Sequence, residues 1–140
     1  MRVEWLILAD AAEVVNNKLY LLGGGWDRLT VHSEFPVIQY CAVAAAVMVP
    51  WQETEKPHLF ALEVYDDSRK LLASMEAEFE VGRPPGVLPG KEQRWQFAGD
   101  FQLMLEGPGR HRVEARCNDT VRAQQEFEVV VGRRAADLPG

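Results

Sequence analysis

Apolar and polar residues alternate along most of this chain, and that two-residue period constrains the fold more than any other feature. In residues 71–81 the apolar positions are Leu71, Ala73, Met75, Ala77, Phe79 and Val81. The positions between them include Glu76, Glu78 and Glu80. Because side chains point alternately to the two sides of a β-strand, this pattern predicts a strand with one buried and one solvated face. The glutamates suit a strand at a sheet edge, where charge discourages pairing with another chain.

Similar alternation recurs in short segments separated by glycine, proline, asparagine and aspartate turn signals, at the roughly 8- to 12-residue spacing of all-β domains. No segment has a convincing helical period longer than one turn. We therefore expect an all-β fold, an antiparallel β-sandwich of about eight strands, immunoglobulin-like or related. The closing pattern, Pro108-Gly109 followed by two alternating strands, resembles the last hairpin of many immunoglobulin-like sandwiches.

Length and charge restrict the classes of function. The chain has 140 residues and a formal net charge of −6, so we expect a single domain over residues 1–132 with a frayed tail at 133–140. An acidic protein lacks the basic surface that nucleic acids and anionic membranes require, so neither is an expected partner. The first ten residues are too acidic for a signal peptide, and no segment has the roughly 18 apolar residues of a spanning helix. We expect a cytoplasmic protein whose Cys41 and Cys117 are reduced.

Two segments near the N-terminus leave alternatives open. Residues 11–15 could form a helical turn capped by Asp10, but the strand-forming residues on either side of Asn16 and Asn17 favour a hairpin turn. The run of apolar residues at 19–22 continues into Gly23, Gly24 and Gly25. This triplet predicts a bend or bulge within strand structure, or a place where a ligand or another backbone comes close.

The most apolar segment is residues 37–49, in which both faces of the expected strand are apolar. In a two-layer sandwich only one face meets the core, so the other must lie under another segment or against another chain. We predict that this second face mediates homodimerisation. Its residues are Ile38, Tyr40, Ala42, Ala44, Ala46 and Met48.

Signals for chemistry are weak. The cysteines and the histidines at positions 32, 58 and 111 lack the close spacing of metal ligands. The glycine triplet is followed by Trp26 and Asp27 instead of the Lys-Ser or Lys-Thr of a phosphate-binding loop. No nucleophile motif is present, and the glutamates of residues 71–81 are too exposed to divide into acid and base. We expect no catalytic residue, no resident metal and no cofactor.

The remaining features suit contact with other molecules. Trp26, Trp51, Val87 and Leu88 are apolar residues in expected loops, where they either cap the sandwich or bind a partner or ligand. The sequence therefore predicts a non-enzymatic protein-interaction or assembly module that associates with itself or with another protein. The alternative is a small-ligand or calcium-binding sandwich that uses the loop with Asp66 and Asp67, since loop carboxylates are calcium ligands.

Three motifs resemble those of a bacterial family of small uncharacterised proteins. They are LADAAE at residues 8–13, KLYLLGGGWD at 18–27 and VGRPPG at 81–86. The similarity covers nearly the whole chain, although Asn17 stands where the family pattern has glycine. The resemblance implies a free-standing bacterial domain and carries no catalytic or binding residue to any position.

Overall fold

The structure is a computed structural model that describes residues 1–133, within which the chain forms nine β-strands and one 3-10 helix, Trp51–Glu53. The strands are β1 (Arg2–Val15), β2 (Lys18–Gly24), β3 (Arg28–Val31), β4 (Val37–Val49), β5 (His58–Tyr65), β6 (Leu71–Phe79), β7 (Gln93–Leu105), β8 (Gly109–Cys117) and β9 (Thr120–Val131). The predicted all-β sandwich is therefore confirmed. The expected tail lies outside the described residues except for Arg133, whose carbonyl oxygen is 2.8 Å from His32 Nδ1.

The strands form two sheets. The first has the order β2-β1-β4-β7 and the second the order β3-β9-β8-β5-β6. Every neighbouring pair is antiparallel except β3 and β9, which are parallel. The inward-facing residues of both sheets make the hydrophobic core, whose largest fully buried side chains include Phe60, Phe127, Leu8, Leu62, Leu103 and Leu105.

The turn between β1 and β2 is a two-residue hairpin turn. Asn16 and Asn17 both have positive φ, 52° and 60°, as type I′ turns require, and asparagine tolerates this conformation better than most residues. Strand β1 continues to Val15 without a helical turn. The hairpin prediction is confirmed.

This hairpin turns back across the outer face of the first sheet. Pairing of β1 with β4 ends where Ala9 meets Ala42. The hairpin tip nevertheless contacts Gln96, whose Nε2 donates to the Asn17 carbonyl oxygen at 2.8 Å. Gln96 lies opposite Ala46, on the side away from the core, because the adjacent residues of β4 are core residues. The hairpin must therefore cross over β4, and it forms a third layer on this part of the sheet.

The glycine triplet lies at the base of this hairpin. Gly23 has φ +59°, and a Cβ there would overlap the Asp10 carboxylate. Gly25 has φ +89°, and its N–H donates to the Leu8 carbonyl oxygen at 2.8 Å. These positions favour glycine because other residues pay a steric cost at positive φ. The triplet ends β2 and redirects the chain to β3 in the opposite sheet.

Candidate interaction surface

The predicted dimer face is the row of outward-facing residues on β4 from Ile38 to Met48. The hairpin of β1 and β2 covers part of this row. Its three alanines, Ala42, Ala44 and Ala46, are completely buried within a single chain. Ile38 and Tyr40, at the other end of the row, are 48% and 67% exposed. The two-residue period predicts that the outer face of β4 is buried, but it does not predict which segment buries it. Met48, at the opposite end of the row, is half-buried. The exposed part of the predicted dimer face is therefore Ile38 and Tyr40.

The open end of the row is part of a wider apolar surface. Ile38 lies opposite Met104, and Tyr40 lies opposite Gln102 on β7. Met104 is 45% exposed. Together these side chains form an exposed patch at one end of the first sheet, on its outer face.

Strand β2 carries the second exposed apolar group. Tyr20, Leu21 and Leu22 are consecutive and are 56%, 39% and 71% exposed. Between β2, β1 and β7 lies an open cleft of about 510 Å³, lined by Ala11, Ala12, Glu13, Tyr20, Leu21, Leu22 and Asp100. Asp100 is two positions before Gln102 on β7, so the cleft adjoins the patch around Tyr40. The run of four apolar residues at 19–22 predicts a strand but not its exposure, because such a run is typical of a buried strand.

The edge strands of the two sheets differ in how well they are protected. β6, an edge of the second sheet, carries Glu76 and Glu78, as the sequence predicts. β3 has only four residues, and β7 carries Arg94 and Asp100. β2 has one charge, at Lys18, followed by six uncharged residues. Charges and short length are the usual means of preventing edge pairing, so β2 is an edge that is open to an additional strand.

The outer face of the second sheet is polar and already paired. Arg116 contacts the Glu63 carboxylate, and Arg112 Nε donates to Glu114 Oε2 at 2.7 Å. The hydrogen bond that Arg116 donates to the Glu63 carboxylate raises the pKa of Arg116 above its ordinary value. The Arg112 guanidinium also lies 4.7 Å from the centre of the Tyr65 ring. These charges satisfy one another within the chain, in contrast to the apolar residues on the first sheet.

Trp26 and Trp51, which the sequence suggests as partner-binding loop residues, pack against other residues of the same chain. The Arg83 guanidinium stacks 3.7 Å above the Trp51 ring. Trp26 packs edge-on against Phe127 at 5.9 Å, and its buried Nε1 has no hydrogen-bond partner in the described part of the chain. In the 81–90 loop Val87 is half-buried, whereas Leu88 is 72% exposed. Of these four residues, Leu88 is the most available to a partner.

Asp66, a residue of the calcium alternative, organises its own turn. Its Oδ1 accepts hydrogen bonds from the Ser68 N–H, the Ser68 hydroxyl and the Lys70 N–H at 2.8–2.9 Å. Burial alone would raise the pKa of Asp66, but the hydrogen bonds from Lys70 and Ser68 lower it below its ordinary value. The turn lines a cleft of about 370 Å³ that also includes Asp67 and Glu106. Glu106 is paired with Lys70 at 2.7 Å, so two of the three carboxylates near this cleft already have partners.

The histidines have structural roles. His58 accepts from Asn118 Nδ2 at its Nδ1, which leaves Nε2–H to donate to the Glu53 carbonyl oxygen at 2.6 Å. His111 Nδ1 lies 3.0 Å from the Gly109 carbonyl oxygen. Within residues 1–133, no three His, Cys, Asp or Glu side chains are grouped closely enough to hold a metal ion.

Both cysteines are free and buried, and they should resist thiol reagents. Burial raises the pKa of Cys41 to about 11, helped by Asp10 and Asp100, and it raises the pKa of Cys117. A thiol whose pKa is raised stays protonated at pH 8, and only the thiolate reacts. We expect neither thiol to react with a colorimetric disulfide reagent in the native protein at pH 8, and both to react in denaturant. Rapid reaction of either thiol in the native protein would contradict this burial.

Residues 4–130 match the model of a family of unknown function, DUF6941, which covers most of the chain and the whole surface described above. The chain belongs to DUF6941. No curated protein matches the sequence. Residues 8–13, 18–27 and 81–86 lie within or overlap the hairpin of β1 and β2 and the 81–90 loop of this DUF6941 protein.

One solved structure to part of which the chain is similar is Pseudomonas fluorescens alkylpurine DNA glycosylase AlkC bound to DNA containing an abasic site analog. The match has 10% sequence identity and a TM-score of 0.44, and it covers 89% of this chain. The matched region spans 30% of the glycosylase. Among residues 1–133 of the DUF6941 protein, no helix is long and apolar enough to cross a membrane.

Proposed function

We propose that this DUF6941 protein is a non-enzymatic, cytoplasmic protein-interaction module that associates with itself. The observation that supports this most directly is the edge strand β2, where Tyr20, Leu21 and Leu22 are all exposed. A large apolar side chain gains about 1.5–3 kcal/mol when it moves from water to a buried site. An uncovered group of this kind, on an edge with free backbone N–H and C=O groups, is a surface for binding another polypeptide.

The distribution of charge supports the same surface. The outer face of the second sheet is covered by the paired charges of Glu63, Arg112, Glu114 and Arg116. The first sheet instead exposes Ile38, Tyr40 and Met104 beside the cleft next to β2. Interface cores are depleted of charge and enriched in aromatic residues and methionine. The calcium alternative has less support, because Asp66 Oδ1 already accepts three hydrogen bonds.

The native mass tests this proposal. Static light scattering of the full chain over a dilution series from about 100 μM to about 1 μM should show a dimer that dissociates only at the lowest concentrations, since a micromolar Kd corresponds to about −8 kcal/mol. A mass of 15.8 kDa at every concentration would overturn self-association. Melting curves with and without excess calcium test the alternative, because a ligand at a hundred times its Kd stabilises the fold by about 2.7 kcal/mol.

A further inference from the structure

We infer that two copies of this chain pair through β2, antiparallel and about a two-fold axis at Leu21, so that the β1–β2 hairpins of the two copies join edge to edge. This inference rests on the proposed self-association and names the surface and the geometry that produce it. The centre of the interface is then β2 and not the row of residues 38–48, because the chain's own hairpin covers the middle of that row.

The length and side chains of β2 support a second copy as the occupant. The strand has seven residues, Lys18–Gly24, and Leu21 is the middle one. An antiparallel copy centred there matches the strand over its full length. It places Tyr20 opposite Leu22 of the second copy, so the two most exposed apolar side chains of each strand cover one another. Cross-strand pairs of an aromatic and an aliphatic residue are the kind that stabilise sheets.

The charges support the antiparallel direction. Lys18 is the only charged residue of β2, and it lies at the first position. In the inferred register it faces Gly24 of the second copy, where there is no side chain. The Asp10 carboxylate lies against the adjacent Gly23, so the cation of one copy approaches an anion of the other. A parallel pairing in which Leu21 again faces Leu21 would instead place the two Lys18 side chains next to each other. Like charges in that position are destabilising.

A matched pair of lysine substitutions tests the surface. Leu22 and Leu88 are 71% and 72% exposed in the single chain, so Leu22→Lys and Leu88→Lys should each leave its fold intact, with a native circular dichroism spectrum. We expect Leu22→Lys to be monomeric at concentrations where the native chain is a dimer, with at least a tenfold weaker association, and Leu88→Lys to keep the native mass.

The outcomes separate the two proposals. A native chain that is monomeric at all concentrations refutes self-association itself. A native dimer that survives Leu22→Lys leaves self-association intact and refutes pairing through β2. Loss of the dimer in both variants would also count against β2, because Leu88 is a residue of the 81–90 loop and not of β2.

A cysteine at the two-fold axis tests the register. Directly opposed residues of an antiparallel pair have Cα atoms about 4.5–5.5 Å apart, which a disulfide can bridge. Leu21→Cys should therefore form a covalent dimer rapidly under a mild oxidant. Tyr20→Cys should do so far more slowly, because its counterpart is two positions away along the second strand. Leu71→Cys on the edge strand β6 measures cross-linking by random collision. Faster cross-linking at position 20 than at position 21, or no excess of position 21 over position 71, would refute the register.

Discussion

Replacing Ala44 by glutamate should lower the free energy of unfolding by about 4 kcal/mol. Ala44 is completely buried on the outer face of the first sheet, where the hairpin of β1 and β2 crosses β4. A glutamate there either forces the hairpin off the sheet or buries a carboxylate that has no space and no cation beside it in β4, whose residues are all uncharged. Urea unfolding followed by tryptophan fluorescence, analysed by linear extrapolation, measures the loss.

Tyr40→Glu is the matched control, since Tyr40 lies on the same face of β4 but is 67% exposed. Its effect on stability should stay within about 0.5 kcal/mol, the usual range of surface substitutions. Equal stabilities of Ala44→Glu and the native chain would mean that the hairpin does not hold the alanines against the sheet. That result would restore the whole row from Ile38 to Met48 as an available surface.

Replacing Phe60 by alanine should cost about 3–5 kcal/mol, the range found for buried phenylalanines. Phe60 is completely buried on β5 and contacts the rings of Trp95 and Phe97 across the sandwich, with centroids 5.4 and 5.5 Å away. Trp95 also stacks on Phe79 at 3.9 Å. The substitution removes one of the two phenylalanine rings through which the second sheet contacts Trp95, so both the urea midpoint and the tryptophan emission should change.

Leu71→Ala is the comparison for Phe60→Ala. Leu71 lies on β6 of the same sheet and is 47% exposed, so we expect a loss below about 1 kcal/mol, since much of its side chain is already in water. A Phe60→Ala protein as stable as Leu71→Ala would show that the aromatic cluster does not hold the sheets together.

The sequence was sufficient for features that depend on neighbouring residues. The alternation of residues 71–81 identified β6 and its charged edge, because the two-residue period is a direct consequence of strand geometry. Asn16 and Asn17 between strand-forming residues identified the first hairpin, since their tolerance of positive φ is a local property.

Features that depend on distant residues could not be derived in this way. The alanines of β4 predict a buried outer face. The segment that buries it is a hairpin whose tip, at Asn17, accepts a hydrogen bond from Gln96, 79 positions away in the sequence. The exposure of Leu22 was missed for the same reason. Its apolar neighbours predict a buried strand, and only the position of β2 at the end of the first sheet exposes it. Of the candidate site, Ile38 and Tyr40 came from the sequence and the β2 edge from the structure.

The parallel pair of β3 and β9 has a consequence for the order in which the protein can fold during synthesis. The first sheet has all its strands once Leu105 has been made, but within residues 1–133 the only strand that pairs with β3 is β9, which begins at Thr120. Val31, 4% exposed in the folded chain, therefore stays uncovered while most of the remaining chain is translated. Long-range pairings of this kind slow folding and leave apolar strands open to aggregation. The nascent chain is thus most vulnerable before its last strand leaves the ribosome.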